Sequence, residues 1–153
     1  MEDGYYLYIK RLFKKYSSFY DLVDIFISGV RHKAVELSNL KNGSRILDVC
    51  TGTGSQAIAF GKKGYNVVGL DLTEEMLKKA MRKNKYNNIV FCLGDAVNIP
   101  FRDGCFDGTI ISFGLHEMPS SIRKKVLKEI IRAVSYTHLR AHETSLHLVC
   151  RLL

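Results

Sequence analysis

The sequence predicts an α/β domain built on a parallel sheet. Three observations carry this. Short branched apolar runs recur at residues 45–50, 66–70, 89–93 and 106–113. Helical patterns separate them. Small or acidic residues stand at the end of each run. Strand and helix alternating four times is the signature of parallel strands joined by crossover helices. In such sheets ligands bind beyond the carboxyl ends of the strands. Here those ends carry Asp48 and Gly52, then Asp71, then Gly94 and Asp95, then Ser112.

The elements follow in order. Apolar residues recur at Ile9, Leu12, Phe13, Tyr16, Phe19, Tyr20, Val23, Phe26, Ile27 and Val30. This three-and-four spacing predicts an amphipathic helix, or two helices broken near Ser17-Ser18. One reading has it cap the cleft, with Tyr16 and Tyr20 touching substrate. Another has it cover one edge of the sheet. A third is peripheral membrane contact through Lys10, Arg11, Lys14 and Lys15. A second helix over residues 30–40 stops at Asn42-Gly43. The first strand ends in the turn Thr51-Gly52-Thr53-Gly54. A helix over 55–63 is closed by Gly64. Thr73 is expected to cap a helix over 74–84, with Glu74 and Glu75 at the positive end of its dipole. Ser120 or Ser121 is expected to cap the last helix, with Ile122, Val126, Leu127, Ile130 and Ile131 inward.

Composition bounds the function. The chain has 153 residues, 46% apolar and 25% charged, with 2 Pro and 12 Gly. That suits one globular domain and excludes a disordered chain. No apolar run approaches the roughly 20 residues of a membrane span, and the start lacks the pattern of a secretory signal. Cys50, Cys92, Cys105 and Cys150 form no C-x-x-C pair. Free thiols in the cytoplasm are therefore expected. The net charge of +8 is spread over several helical segments. It reads as solvated helix faces, and no nucleic-acid partner is expected.

Gly52-Thr53-Gly54-Ser55-Gln56-Ala57 satisfies G-x-G-x-x-A between a strand and a helix. Bare glycines let a ligand touch the backbone, and the helix behind offers free N–H groups. Asp71 stands about 20 residues on, where a carboxylate accepts ribose hydroxyls. Together they indicate a nucleoside-bearing cofactor. Asp48, just before the glycine turn, would repel a pyrophosphate and would hold an ammonium. S-adenosylmethionine (SAM) offers ribose, adenine and an ammonium, and no phosphate. Asp95, after the third strand, suits an adenine amino group.

These stretches resemble the motifs of class I SAM-dependent methyltransferases. Residues 46–54, ILDVCTGTG, resemble the first motif, and residues 68–77, VGLDLTEEML, the second. Gly94-Asp95-Ala96, with Ile99-Pro100-Phe101 and Phe106-Asp107 beyond, resemble the third and fourth. Within that superfamily the chain is most similar to the ubiquinone/menaquinone-biosynthesis methyltransferases and their type-11 relatives, over about residues 19–133. The resemblance implies a Rossmann-like sheet, here its N-terminal part with about four strands. It implies SAM as cofactor and a small-molecule methyl acceptor, such as a quinone-type ring. It gives Asp48 the methionine ammonium, and Gly52 and Gly54 backbone room. Cys50 and Thr51 belong to the same turn, Cys50 standing where many relatives have Gly. Asp71 holds the ribose, Leu72 packs on adenine, Asp95 and Ala96 read the adenine edge, and Ser112-Phe113 line the methyl-donor end. His116 is the candidate base. No metal is expected. His116-Glu117-Met118-Pro119 departs from the continuation seen in the quinone subgroup.

The tail changes character. Residues 135–153 hold three of the five His and no Lys, Gly, Asp, Asn or Pro. His142-Glu143 and His147 miss the H-E-x-x-H spacing that places two imidazoles on one helix face. VSYTHLRAHET with LVCRLL resembles a translated sequencing adapter. The expected organisation is a helical cap over 1–43, a cofactor domain over 44–133, and a non-native tail over 134–153. The rival readings are an NAD(P)-dependent oxidoreductase and a non-catalytic nucleotide-binding fragment. Relatives wrap seven strands, so the fourth strand here is expected to present an open apolar edge at Thr109-Ile110-Ile111.

Overall fold

The computed structural model describes residues 4–9, 11–12, 28–112 and 114–134. Residues 4–9 and 11–12 are helical. Then follow α1 (Ser28–Leu37), β1 (Arg45–Val49), α2 (Ser55–Lys62), β2 (Asn66–Asp71), α3 (Glu74–Lys83), β3 (Ile89–Leu93), β4 (Gly108–Ile111), a 3-10 turn (Leu115–Glu117) and α4 (Ser120–Ala133). The four strands form one sheet in the order β3-β2-β1-β4. All pairs are parallel, with Asp48 opposite Gly69 on one side and Ile110 on the other. The chain winds outward from β1 to β3 and then returns to β4 on the far side of β1. This reversal is the switch point where such sheets open a crevice.

Side chains alternate across each strand, so β1 feeds two cores. Leu47 and Val49 join Leu70, Ile111 and the α4 residues Ile122, Val126 and Ile130. Ile46 joins Val35 of α1, Ala57 and Phe60 of α2, Val67 and Ile110. Asp48, two residues beyond Ile46, therefore points to the α1–α2 side. α4 keeps Ile122, Val126, Ile130 and Ala133 buried, the spacing of one helical stripe. α3 buries Met76, Leu77 and Ala80, and its Glu74, Glu75 and Arg82, Lys83 ends complement the dipole.

Several boundaries differ from the sequence reading. The second helix runs over Ser28–Leu37, earlier than expected. Thr73 occupies the cap position of α3 but its hydroxyl makes no cap bond. It donates instead to Asp71 Oδ1 at 2.7 Å. Pro119, not a serine, precedes α4. The fourth strand is shorter than residues 106–113. Phe106 lies before it, edge-on to Phe101 in the core with ring centroids 5.3 Å apart. As expected, β4 stands at the edge of the sheet, with β1 its one strand neighbour among the described residues. All four of its residues are buried. Val134 is buried as well and makes a parallel bridge with Phe106. Val134 thus packs with the fold rather than apart from it. Tyr16, Tyr20, Phe113 and residues 135–153 lie outside the described residues.

Candidate cofactor site

The glycine turn is shaped by its backbone. Cys50, Gly52 and Gly54 all take positive φ, at 58°, 56° and 76°. Gly52 and Gly54 adopt this freely, whereas Cys50 is strained there. Gly54 also lacks room: a Cβ would stand 2.8 Å from Ala80 Cβ and from the Phe91 ring. The turn is tied down by Thr51 N donating to Leu70 O and Gly54 N to Thr51 O. Cys50 needs space in turn. A Cβ on Gly114 would meet its Cβ at 2.9 Å. Burial, with Asp71, Asp48 and Asp95 nearby, raises the Cys50 thiol well above its usual range, so it is no nucleophile.

Above the turn lies a cavity of about 350 Å³. Its wall includes every candidate cofactor residue of the sequence reading: Asp48, Cys50, Thr51, Gly52, Asp71, Leu72, Asp95, Ala96 and Ser112, with Gly54 alone set behind them. His116, itself exposed, borders it from the 3-10 turn.

The three acids differ. Asp48 is 1% exposed. Thr51 Oγ1 donates to its Oδ2 at 2.6 Å, while Oδ1 has no hydrogen-bond partner. Burial pushes its carboxyl from 3.8 up to about 7. The Thr51 hydroxyl pulls it down, the Asp71 charge pushes it up, and the Ala57 amide and Arg31 charge pull it down. Asp71 is also raised by burial, but it is well held. Its Oδ2 accepts from Gly52 N at 2.8 Å, and its Oδ1 from Thr73 N at 2.9 Å and the Thr73 hydroxyl. Asp95, half-buried, accepts from Val97 N at 3.0 Å, closing a turn beyond β3.

The cavity also has walls the sequence reading missed. Tyr5, Tyr6 and Ile9 line it, as do Arg31 of α1 and Gln56 of α2. Tyr5 and Tyr6 meet edge-on, with centroids 5.6 Å apart. Helical periodicity in this segment marks one apolar stripe, and Tyr16 and Tyr20 fall on it as readily as Ile9. Only the tertiary path decides which aromatics reach the cavity. Arg31 carried no motif. Gln56 stood inside the glycine motif at a position that accepts any residue.

Residues 2–148 match the profile of the ubiE/COQ5 methyltransferase family. The chain belongs to this family. It is 38% identical over 132 residues to the demethylmenaquinone methyltransferase of Staphylococcus saprophyticus, a match covering 80% of this chain and 56% of that protein. The chain thus spans little more than half the length of the curated relatives it matches. Among solved structures it resembles a SAM-dependent methyltransferase from Aquifex aeolicus, with a TM-score of 0.62 and 27% identity over 69% of this chain and 58% of that one. The [4+2]-cyclase SpnF shares the fold, with a TM-score of 0.59, 24% identity, and 68% and 41% of the two chains covered. So the ubiE/COQ5 family rests on the family match, while the sheet alone is compatible with other chemistry. The Rossmann-like sheet expected from the motifs is the fold of these neighbours.

Proposed function

We propose that this chain is the cofactor-binding part of a SAM-dependent methyltransferase acting on a small molecule, with a quinone-type ring as acceptor. The observation that carries it is Asp48 Oδ1. A buried carboxylate oxygen at a cavity wall, without a partner, is a costly arrangement that a ligand cation relieves. The ammonium of the cofactor's amino-acid end fits it. A pyrophosphate does not, which weighs against the nicotinamide alternative. The name of the 38% identical relative supports the quinone-type acceptor.

The cofactor supplies a methyl group activated on a sulfonium. The chain's own residues bind and align it. Asp71 is fixed by three donors and keeps acceptor capacity for the ribose hydroxyls. Leu72 packs against adenine, and Asp95 and Ala96 meet its edge. Cys50, Thr51, Gly52 and Gly54 give the backbone room. Ser112 and His116 border the acceptor side, with His116 the candidate base. Tyr5, Tyr6 and Ile9 exclude water, within a cap over residues 1–43. Residues 44–133 form the cofactor domain, Val134 packs on it, and the tail from Ser135 is foreign to it. The protein works in the cytoplasm, with membrane contact through its basic N-terminal segment and no nucleic acid. Because alignment supplies much of the rate of a methyl transfer, this chain alone does not turn over.

Calorimetry on the 153-residue chain tests the reading. SAM binds and NAD does not. NAD binding without SAM binding overturns the assignment. Labelled SAM offered with candidate quinols gives no transfer by this chain.

A further inference from the structure

Two walls of the cavity also face outward. The N-terminal helical segment lines the cavity with Tyr5, Tyr6 and Ile9. The same segment presents Leu7 and Tyr8, each 58% exposed, and exposed Arg11. The first half of α4 lines the cavity with Ile122 and Val126. Around them it presents Arg123, Lys124, Lys125 and Lys128, all exposed. Tyr5 and Tyr6 pack on the core cluster that contains Ile122 and Val126, so the two walls are neighbours.

The cations of α4 are not offset on their own helix. α3 carries cations too, but Glu74 and Glu75 stand beside them, and Lys78 is paired to Glu74 at 2.8 Å. The one acid of α4 is Glu129, and it is turned to Arg132 and to Ile99 N. Arg123 is partly committed to Met118 O at 3.0 Å. Lys124 and Lys128 stand four residues apart, so they share one outward face.

A partner for these two faces needs negative charge opposite α4 and an apolar layer for Leu7 and Tyr8. A nucleic acid supplies the first and not the second. An anionic lipid surface supplies both, with headgroups above acyl chains. It is also the phase in which an apolar ring acceptor dissolves.

We propose that the outward face of α4 and the Leu7-Tyr8 pair dock together on an anionic lipid bilayer, so that the cavity between them takes its acceptor from the membrane. This rests on the quinone-type reading above. It adds a second cationic surface to the basic N-terminal segment. The charge of α4 is then a docking face beside the cavity rather than a merely solvated one.

The test is co-sedimentation of the full 153-residue chain with vesicles of phosphatidylcholine, with and without phosphatidylglycerol. The chain binds the anionic vesicles, and salt weakens that binding. Lys124→Gln with Lys128→Gln weakens it by roughly 10- to 30-fold, at about fivefold per cation. Lys62→Gln with Lys63→Gln removes the same charge from the far end of α2 and costs less than about threefold. Leu7→Ser with Tyr8→Ser weakens binding and makes what remains more sensitive to salt. All six side chains are exposed, so these variants keep the fold. No binding of the wild-type chain to anionic vesicles overturns the proposal. So does binding that the α4 pair leaves unchanged, and so does a preference for a short RNA over the vesicles. Calorimetry with SAM reads the cofactor assignment separately, so loss of vesicle binding with SAM binding intact strikes this proposal alone.

Discussion

The two ends of the sheet treat polar groups in opposite ways. At the amino end, beneath β1 and β4, the space is only about 10 Å³. Ser38 and Tyr65 sit there, and both are used. The Ser38 hydroxyl donates to Val35 O at 2.8 Å and Tyr65 OH to Leu40 O at 3.0 Å. Nearby, Asn88 Nδ2 donates to both Gly61 O and Tyr65 O at 2.8 Å. At the carboxyl end the cavity is about 350 Å³, and the only buried side-chain atoms without a partner among the described residues, Asp48 Oδ1 and Gln56 Nε2, are both there. Among the described residues the fold closes its buried side-chain hydrogen bonds at the sealed end and leaves two atoms open at the cavity proposed for the cofactor. The sealed end supplies stability, and the open end spends some of it.

Breaking the sealed end gives the largest effect. Phe60 is fully buried between the α1–α2 core and the Tyr65 ring, 5.4 Å away between centroids. Phe60→Ala costs about 3–5 kcal/mol in urea unfolding. That is much of the stability of a domain this size.

At the open end the sign reverses. Asp48→Asn stabilises the ligand-free chain at pH 8 by on the order of 3 kcal/mol and abolishes SAM binding. The native carboxyl, raised to about 7 from 3.8, binds its proton more tightly than the unfolded one. Below pH 4 both states are protonated and no cost exists. The cost accrues as pH rises from about 4 to the folded value of about 7 and is complete above it. The gain from Asp48→Asn therefore shrinks to nothing as pH falls toward 4, which thermal melts across that range follow.

The smallest effect sharpens the comparison. Ammonium binding needs Asp48 ionised, so SAM affinity rises with pH through about 7. Thr51→Val removes the hydroxyl that favours the ionised form. The midpoint of that affinity profile then moves to higher pH, and stability above that pH falls in step with the shift. A midpoint that stays put would show that Thr51 does not tune Asp48.

The open end was the more legible in sequence. Asp48, Asp71 and Asp95 stand at strand tips, and strand tips are visible as the ends of apolar runs. The glycines mark their own turn, because positive φ at Gly52 and Gly54 is a local need. Strand order follows less directly, yet the alternation of elements was enough to expect a parallel sheet. Arg31 and Gln56 were not legible, since each owes its place to packing between helices rather than to spacing along the chain. Thr73 misled for a related reason. A threonine before two glutamates looks like a helix cap, but Asp71 lies two residues away and claims its hydroxyl. The cap of α4 misled similarly, a serine at either of two positions being displaced by Pro119. Local preference loses where a nearby carboxylate or a fixed backbone angle offers more.

Arg132 ties the loop beyond β3, next to Asp95 of the cavity wall, to the last helix. Its guanidinium donates to Phe101 O and Ile99 O, each at 2.8 Å, and to Asp103 and Glu129. Glu129 in turn accepts from Ile99 N at 2.9 Å. The backbone adds Gly104 N to Arg132 O and Phe106 N to Ala133 O. A loop so bound cannot open unless the end of α4 lets go, and the helix end cannot fray without freeing the loop. The two segments therefore form one cooperative unfolding unit, although some thirty residues of chain lie between their bonded partners. The stretch that follows Asp95 borrows its rigidity from a helix it meets only in the folded state, so the last helical turn and that wall of the cavity keep their shape together.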